Sequence, residues 1–427
     1  MRIPLKTVVI SLIISYSIFA QSDLKVINVE TTDLKYDSVS EKIYVSIPNT
    51  SVTMANSIAV INPYSGVIEN SVFVGDNPGV IAISDDGQYL YVSLDDSGSV
   101  RKVDLASFTP GIEFSLGSTY FVDDMEVMPG NPNTIAVTRR VECFDPSGRG
   151  IAIFVDGIQL PNVTSIFDRC NRIEFSDNPD MLYAYNNESS ANKFFRIAVD
   201  DSGVVVLSST PGLITEFYTE IEYAGGLIFS NMGEVVQPDE LFLLGTFSAP
   251  YSESMTPDIE DGKAYFINYY GFVGSFVYIS SFNIDTYVPL DTLIINDVGC
   301  CPTDLIRWGS NGLAFRTDEG EVYIVRDSLI GLNIYNNNVS ENFYLDQNYP
   351  NPFNSFTNVR FHNNRRQHIS LQLFDITGKL VDILIDEPID IGLHNFKWSA
   401  NHLPSGVYIL KLKSKHKIHT NKLIYLK

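Results

Sequence analysis

Asp and Glu return at one place in a short repeated pattern. The pentapeptides TDLKY (32–36), PGVIA (78–82), DDMEV (123–127), NRIEF (171–175), TEIEY (219–223), PDIED (257–261) and TDLIR (303–307) align as the opening strands of successive units. Their second residues are Asp33, Gly79, Asp124, Arg172, Glu220, Asp258 and Asp304. Two residues on, and therefore on the same face of a strand, stand Lys35, Ile81, Glu126, Glu174, Glu222, Glu260 and Ile306. With these strands side by side, nine carboxylates would meet at one opening. Like charges held together raise one another's pKa or gather a cation. An oxygen-rich set of this kind would suit Ca2+, the one cofactor the sequence suggests, or a cationic ligand. The alternative is that Asp and Glu at strand starts cap turns and face water in an acidic protein.

Other chemistry is largely excluded. All six histidines (His362, His368, His394, His402, His416, His419) lie in the last 70 residues, and residues 21–340 contain none. The larger region therefore has no imidazole for base catalysis or metal ligation. The wide spacing of the six reads as surface and turn positions. No phosphate-binding glycine loop, HExxH or GxSxG pattern occurs. The four cysteines are Cys143, Cys170, Cys300 and Cys301. Cys143–Cys170 is the expected bridge, with Cys300 and Cys301 either joined to each other or reduced.

The elements that must position these groups are strands. Hydrophobic content is 44% against 19% charge, with 23 Tyr and 26 Phe, and Val, Ile, Thr and aromatics alternate with polar residues. That is folded, all-β material. The opening MRIPLKTVVISLIISYSIFA has basic Arg2 and Lys6, an apolar run from Thr7 to Phe19 and small Ala20. It reads as a secretory signal peptide over residues 1–20, and export permits disulfides. No later apolar run reaches spanning length, so the mature chain is expected to have no transmembrane segment. Charge divides the rest. Residues 21–340 hold 16 basic and 44 acidic residues, and residues 341–427 hold 11 basic and 7 acidic. Two regions of opposite sign read as two domains, and the acidic one would repel nucleic acid.

The unit starts fall 38–48 residues apart. The clearest unit, NPGVIAISDDGQYLYVSLDDSGSVRKVDLASFTPGIEFSL, has tight-turn signals at DDG (85–87) and DSG (96–98). About four strands at this period indicate a seven-bladed β-propeller over residues 21–335. The last unit supplies only three strands, and LKVINVE (24–30) is the spare strand expected to complete it. The segment from Asn56 to Leu94 resembles the YVTN family of seven-bladed propellers. Ile61, Asn62, Pro63, Gly66 and Ile68 carry the likeness, with Gly75, Pro78, Ile81, Ala82, Ser84, Asp86, Gly87 and the YLYVS strand 89–93. The likeness fades after residue 110. It implies the fold and says little of function. The family is similar to lactonase propellers, whose acidic residues and often a His act at the channel; this region offers Glu126, Glu222 and Arg172 but no His. Adjacent cysteines such as Cys300–Cys301 also occur in quinone-dependent dehydrogenase propellers, but those carry repeated Trp motifs, and this chain has two Trp in all.

Past a linker at 336–340 the pattern changes. Short alternating strands separated by turns at ITGK and LPSG, with Gly378 and Gly406, read as a small Ig-like β-sandwich over 341–427. Before them stands DQNYPNPFN, containing Asn348, Tyr349, Pro350, Asn351, Pro352, Phe353 and Asn354. Pro350 and Pro352 bar regular pairing, which leaves Tyr349 and Phe353 to anchor a rigid non-strand segment. This motif, then FDITGKLVDIL, then Gly392, His394, Phe396 and Trp398, then LPSGVYILKL with Tyr408, resembles the type IX secretion system type A C-terminal sorting domain. Ser355 stands where the family usually has Pro. The resemblance implies export, an encounter with the type IX machinery, and release or display at the outer-membrane surface of a Gram-negative bacterium. The expected protein is then an exported propeller acting as a non-catalytic module for an extracellular ligand or protein. A lactonase-like hydrolase at the same channel is the alternative.

Overall fold

The computed structural model describes residues 24–117, 120–141, 147–189, 191–248, 252–270, 276–296, 298–326, 344–345, 348, 350–363, 366–390, 392–400, 403–414 and 418–427. The signal peptide, the linker, Tyr349 and Cys143 lie outside them. The chain divides into two compact units, Met1–Asn333 and Ile334–Lys427. Among the described residues no helix is long and apolar enough to cross a membrane.

The first unit holds seven four-stranded antiparallel sheets in a propeller-like arrangement. Six are consecutive meanders. In the seventh, Leu24–Asn28 pairs antiparallel with Glu321–Val325 and so becomes the fourth strand beside three from the other end of the unit. The inner strands are Asp33–Asp37, Pro78–Ile83, Phe121–Val127, Arg172–Phe175, Ile221–Ala224, Ser254–Asp258 and Pro302–Trp308. Each lies against the next, and the last lies against the first.

The sequence builds this by burying both faces of the middle strands. In Lys263–Tyr270, Ala264 and Phe266 pack towards sheet five while Tyr265 and Ile267 pack towards sheet seven. Period-two alternation thus feeds two apolar layers from one strand. Seven such layers occur, each joining consecutive sheets, and one joins the seventh to the first through Trp308, Ala314 and Ile324 against Leu34, Val45 and Ile61. The DDG turn forms as its composition requires, with Gly87 at φ +65°, a conformation that costs glycine nothing. The outer strands are largely exposed, as in Val67–Phe73 and Phe242–Thr246.

The second unit packs a three-stranded sheet against a four-stranded one. Val359 and Phe361 from the first share a core with Leu371, Leu373, Leu410, Leu412 and Tyr425 from the second. The Pro/Asn motif sits on this core. Buried Asn348 donates to Thr357 Oγ1 (2.9 Å) and the Pro350 carbonyl (3.1 Å). Asn351 accepts from the Ile424 N–H at 2.8 Å and donates to the Lys422 carbonyl at 2.9 Å. The Asn351–Pro352 peptide is cis. Phe353 is 2% exposed, with ring centroids 5.1 Å from Tyr425 and 5.9 Å from Trp398. Its main chain bridges Tyr425 as a single parallel contact. Asn351 and Phe353 are the anchors, and the prolines keep the segment from extending into a strand.

Cys170 is buried with a free thiol, and the disulfide among the described residues joins Cys300 to Cys301. This departs from the expected Cys143–Cys170 bridge. Cys170 packs with Ile151, Ile153 and Ile173 between sheets three and four, as a small apolar residue would.

Candidate functional site

The inner strands of the first unit enclose a cavity of about 660 Å³. Seven of the nine expected carboxylates line it: Asp33, Asp124, Glu126, Glu174, Glu220, Glu222 and Asp304. Asp258 and Glu260 do not. The inner strand of sheet six begins at Ser254, so PDIED straddles the end of that strand and the following turn. Ser254 and Thr256 face the cavity instead. Asp258 closes the strand in an ion pair with Arg307 at 2.6 Å, and Glu260 is exposed in the turn. Sheet two differs by one residue. An irregularity between Pro78 and Ile81 sends Ile81 into an apolar layer and turns Val80 to the cavity.

With the register corrected, the wall has two levels. The upper one is Asp33, Val80, Asp124, Arg172, Glu220, Ser254 and Asp304. Its charges are satisfied locally. Asp33 accepts from the Leu34 N–H at 2.7 Å and, on the next sheet, from the Ile81 N–H at 2.8 Å. Asp124 repeats this with Met125 and Ile173, both at 2.9 Å. Ser254 plays the same part for Leu305 at 3.0 Å. These side chains latch adjacent sheets. Glu220 pairs with Arg172 at 2.5 Å, and Asp304 pairs with Arg316 at 2.5 Å. Arg316 also donates to the Thr31 carbonyl at 3.1 Å. Arg307 closes the pentapeptide TDLIR outside its two aligned positions, and Arg316 stands on a second strand, where nothing in the local sequence marks it. Beside this level Asp123 pairs with Arg140 at 3.0 Å, yet burial still raises it to about 6.

The lower level is Lys35, Glu126, Glu174, Glu222 and Thr256, with Ile306 of sheet seven beside them. Here pairing stops. Thr256 Oγ1 donates to Glu222 at 3.3 Å. Among the described residues Glu126, Glu174 and Lys35 make no hydrogen bond or ion pair within 4.0 Å. Burial raises Glu126 to about 7 and Glu222 to about 8, and burial with Glu126 and Glu222 nearby lifts Glu174 well above the carboxylate range. Burial also raises Asp33 to about 7, with Asp304 adding to it. For Lys35 burial opposes the charge, but the field of Asp33, Glu126, Asp124 and Glu174 outweighs it and raises the pKa. The ammonium is thus held charged among carboxyls that largely keep their protons near neutrality.

Among the described residues no group of three or more His, Cys, Asp or Glu is arranged to hold a metal ion. Of the donors expected for Ca2+, the upper carboxylates are already engaged by N–H groups and guanidinium groups.

The first unit resembles solved propellers in fold. It aligns with the Cps50 (Swd1) β-propeller domain of Myceliophteria thermophila at TM-score 0.54 and 11% identity, covering 71% of this chain and 99% of that one. A chain of a mitotic checkpoint complex aligns at TM-score 0.51 and 11% identity, covering 76% and 98%. Identity this low speaks for the fold alone. No curated protein matches the sequence. Residues 347–426 match the family model described as the secretion system C-terminal sorting domain, so the second unit, with its Pro/Asn motif seated on a sandwich core, carries the pattern of a sorting domain.

Proposed function

We propose that this protein is an exported binding module: a closed seven-bladed propeller that holds a small polar ligand in its central cavity and is delivered to the cell exterior or surface by its sorting domain. The carrying observation is the lower level of the cavity, where Lys35, Glu126 and Glu174 line the space without a hydrogen-bond or ion-pair partner among the described residues. Buried polar groups are ordinarily paired, and their exposure to a cavity of ligand size is the usual mark of a binding site. The seven apolar layers and the pairing of Leu24–Asn28 with Glu321–Val325 support the closed ring. The sorting-domain match supports delivery. A thermal-shift screen of the full-length protein against polar small molecules, repeated with Glu174→Gln, tests the module. A ligand whose stabilisation disappears in the variant supports it; no stabilisation by any compound rejects it. Removing residues 341–427 should retain the protein in the periplasm, and unchanged delivery would reject the role of the second unit.

A second reading has one observation in its favour. Glu126 at about 7 and Glu222 at about 8 lie in the range of a general acid or base. A lactonase-like hydrolase would lose 10²-fold or more, on the order expected for such groups, on Glu126→Gln or Glu222→Gln. Absence of lactone hydrolysis by the unaltered protein removes this reading.

A further inference from the structure

We propose that the cavity selects a zwitterionic ligand, one whose ammonium group enters the arc of Glu126, Glu174 and Glu222 while its carboxylate meets Lys35. This rests on the binding-module reading and names its ligand class. In a ring of seven, sheets four and five lie opposite sheet one. Lys35 of sheet one therefore faces Glu174 and Glu222 across the channel, with Glu126 at the side. The upper level shows what this chain does when opposite charges can touch: Arg172 with Glu220 and Arg316 with Asp304 both close to 2.5 Å. At the lower level the ring itself keeps Lys35 more than 4.0 Å from every carboxylate. The gap leaves the Lys35 charge at sheet one facing carboxyls at sheets three to five that turn negative as they release their protons when an ammonium binds. Its complement is a molecule that carries both charges.

Single charges fit less well. A free cation would be repelled by Lys35, whose ammonium already answers part of the arc's charge. A simple anion would meet three glutamates and Asp33 and Asp124 above them. The charged groups that line the cavity with Lys35 are these five carboxyls, Asp123, Glu253, Glu220 paired with Arg172, Asp304 held by Arg316, and Arg307. The raised pKa values of Glu126 and Glu222 add a signature: seating an ammonium favours their ionised forms, so binding near neutrality releases protons.

Calorimetry on the full-length protein at pH 7.5 would compare glycine, 4-aminobutanoate and triglycine with spermidine, succinate and CaCl2. The expected result is that one or more of the three zwitterions binds, with an enthalpy that depends on the buffer's ionisation heat, and at least tenfold more tightly than the singly signed probes. Lys35→Met should reverse the preference by at least tenfold towards spermidine. Lys35→Met/Glu126→Gln, which removes one charge of each sign, keeps the test usable where the single variant fails to fold, and should also lose the zwitterion. If spermidine, succinate or calcium binds the unaltered protein as well as the best zwitterion, the ligand class is wrong while the binding module stands. Preference unchanged in both Lys35 variants also overturns the ligand class. If no probe binds and no compound in the wider screen stabilises the protein, both readings fall.

Discussion

Two levels of the same seven inner strands behave differently, although they lie two residues apart and use the same residue types. At the upper level every carboxylate has a near neighbour to answer it: an N–H of the adjoining sheet for Asp33 and Asp124, a guanidinium for Glu220 and Asp304. At the lower level Glu126 and Glu174 have none within hydrogen-bonding reach. The upper carboxylates are structure, holding sheet to sheet. The lower ones are titratable groups left unpaired in a cavity with their pKa values raised, which is the pattern of a functional site. Acidic composition alone could not separate these roles; the partners do.

The largest break in this comparison should come from Asp33→Ala. It strands two N–H groups, those of Leu34 and Ile81, at a side chain that is 9% exposed. A buried unsatisfied donor costs about 1–3 kcal/mol, so a loss of about 2–4 kcal/mol is expected in urea unfolding. Asp33→Asn keeps an acceptor oxygen and should recover most of it. Equal damage from Ala and Asn would mean that charge, and not the latch, is what the position supplies.

Glu222→Gln should act in the opposite direction. Burial raises Glu222 from 4.5 to about 8, so between these values the folded protein holds a proton that the unfolded chain releases. Stability therefore falls as pH rises from about 4.5 towards 8. Glu126, raised to about 7, and Asp33, raised from 3.8 to about 7, add to the same slope. The melting temperature should be highest near pH 5 and fall by several degrees by pH 8.5, on the order expected for a loss of a few kcal/mol in a unit of this size. Glu222→Gln should flatten the fall and melt higher than the unaltered protein at pH 8.5. A melting temperature that rises across this range would show the lower carboxyls ionised and stabilising.

Much of this architecture was legible in the sequence. The DDG turn, the four-strand unit and the spare strand at 24–28 follow from alternation and turn residues, which are local. So does the seating of Phe353, since two prolines close together leave few other conformations. What escaped was set between elements. The sheet-two offset comes from an irregularity between Pro78 and Ile81 that alternation does not announce. PDIED imitates the pentapeptide, but the residues that occupy its place are Ser254 and Thr256, polar and uncharged, which a carboxylate pattern does not mark. Arg307 reaches Asp258 on sheet six, Arg316 reaches Asp304 on the neighbouring strand of its own sheet, and Asp124 finds its second N–H on sheet four. Such pairings depend on how strands and sheets are stacked, and no single segment encodes that. The free Cys170 has the same origin: its surroundings are an apolar layer contributed by two sheets.

The smallest effect is expected at Glu260, and it is the sharpest control on the corrected register. Were PDIED the inner strand, Glu260 would stand beside Glu222 in the place that Thr256 takes in the cavity, and Glu260→Gln would alter both the pH profile and the ligand. In the structure Glu260 is exposed in a turn after the strand has ended at Asp258, facing water. Removing such a charge costs little, because solvent already screens it. Glu260→Gln should therefore move the melting temperature by less than about 1 °C at either pH and leave calorimetric titrations unchanged, while Glu222→Gln, two residues into the equivalent strand of sheet five, changes both. Equal behaviour of the two variants would return Glu260 to the channel and undo the division of the wall into a paired level and an open one.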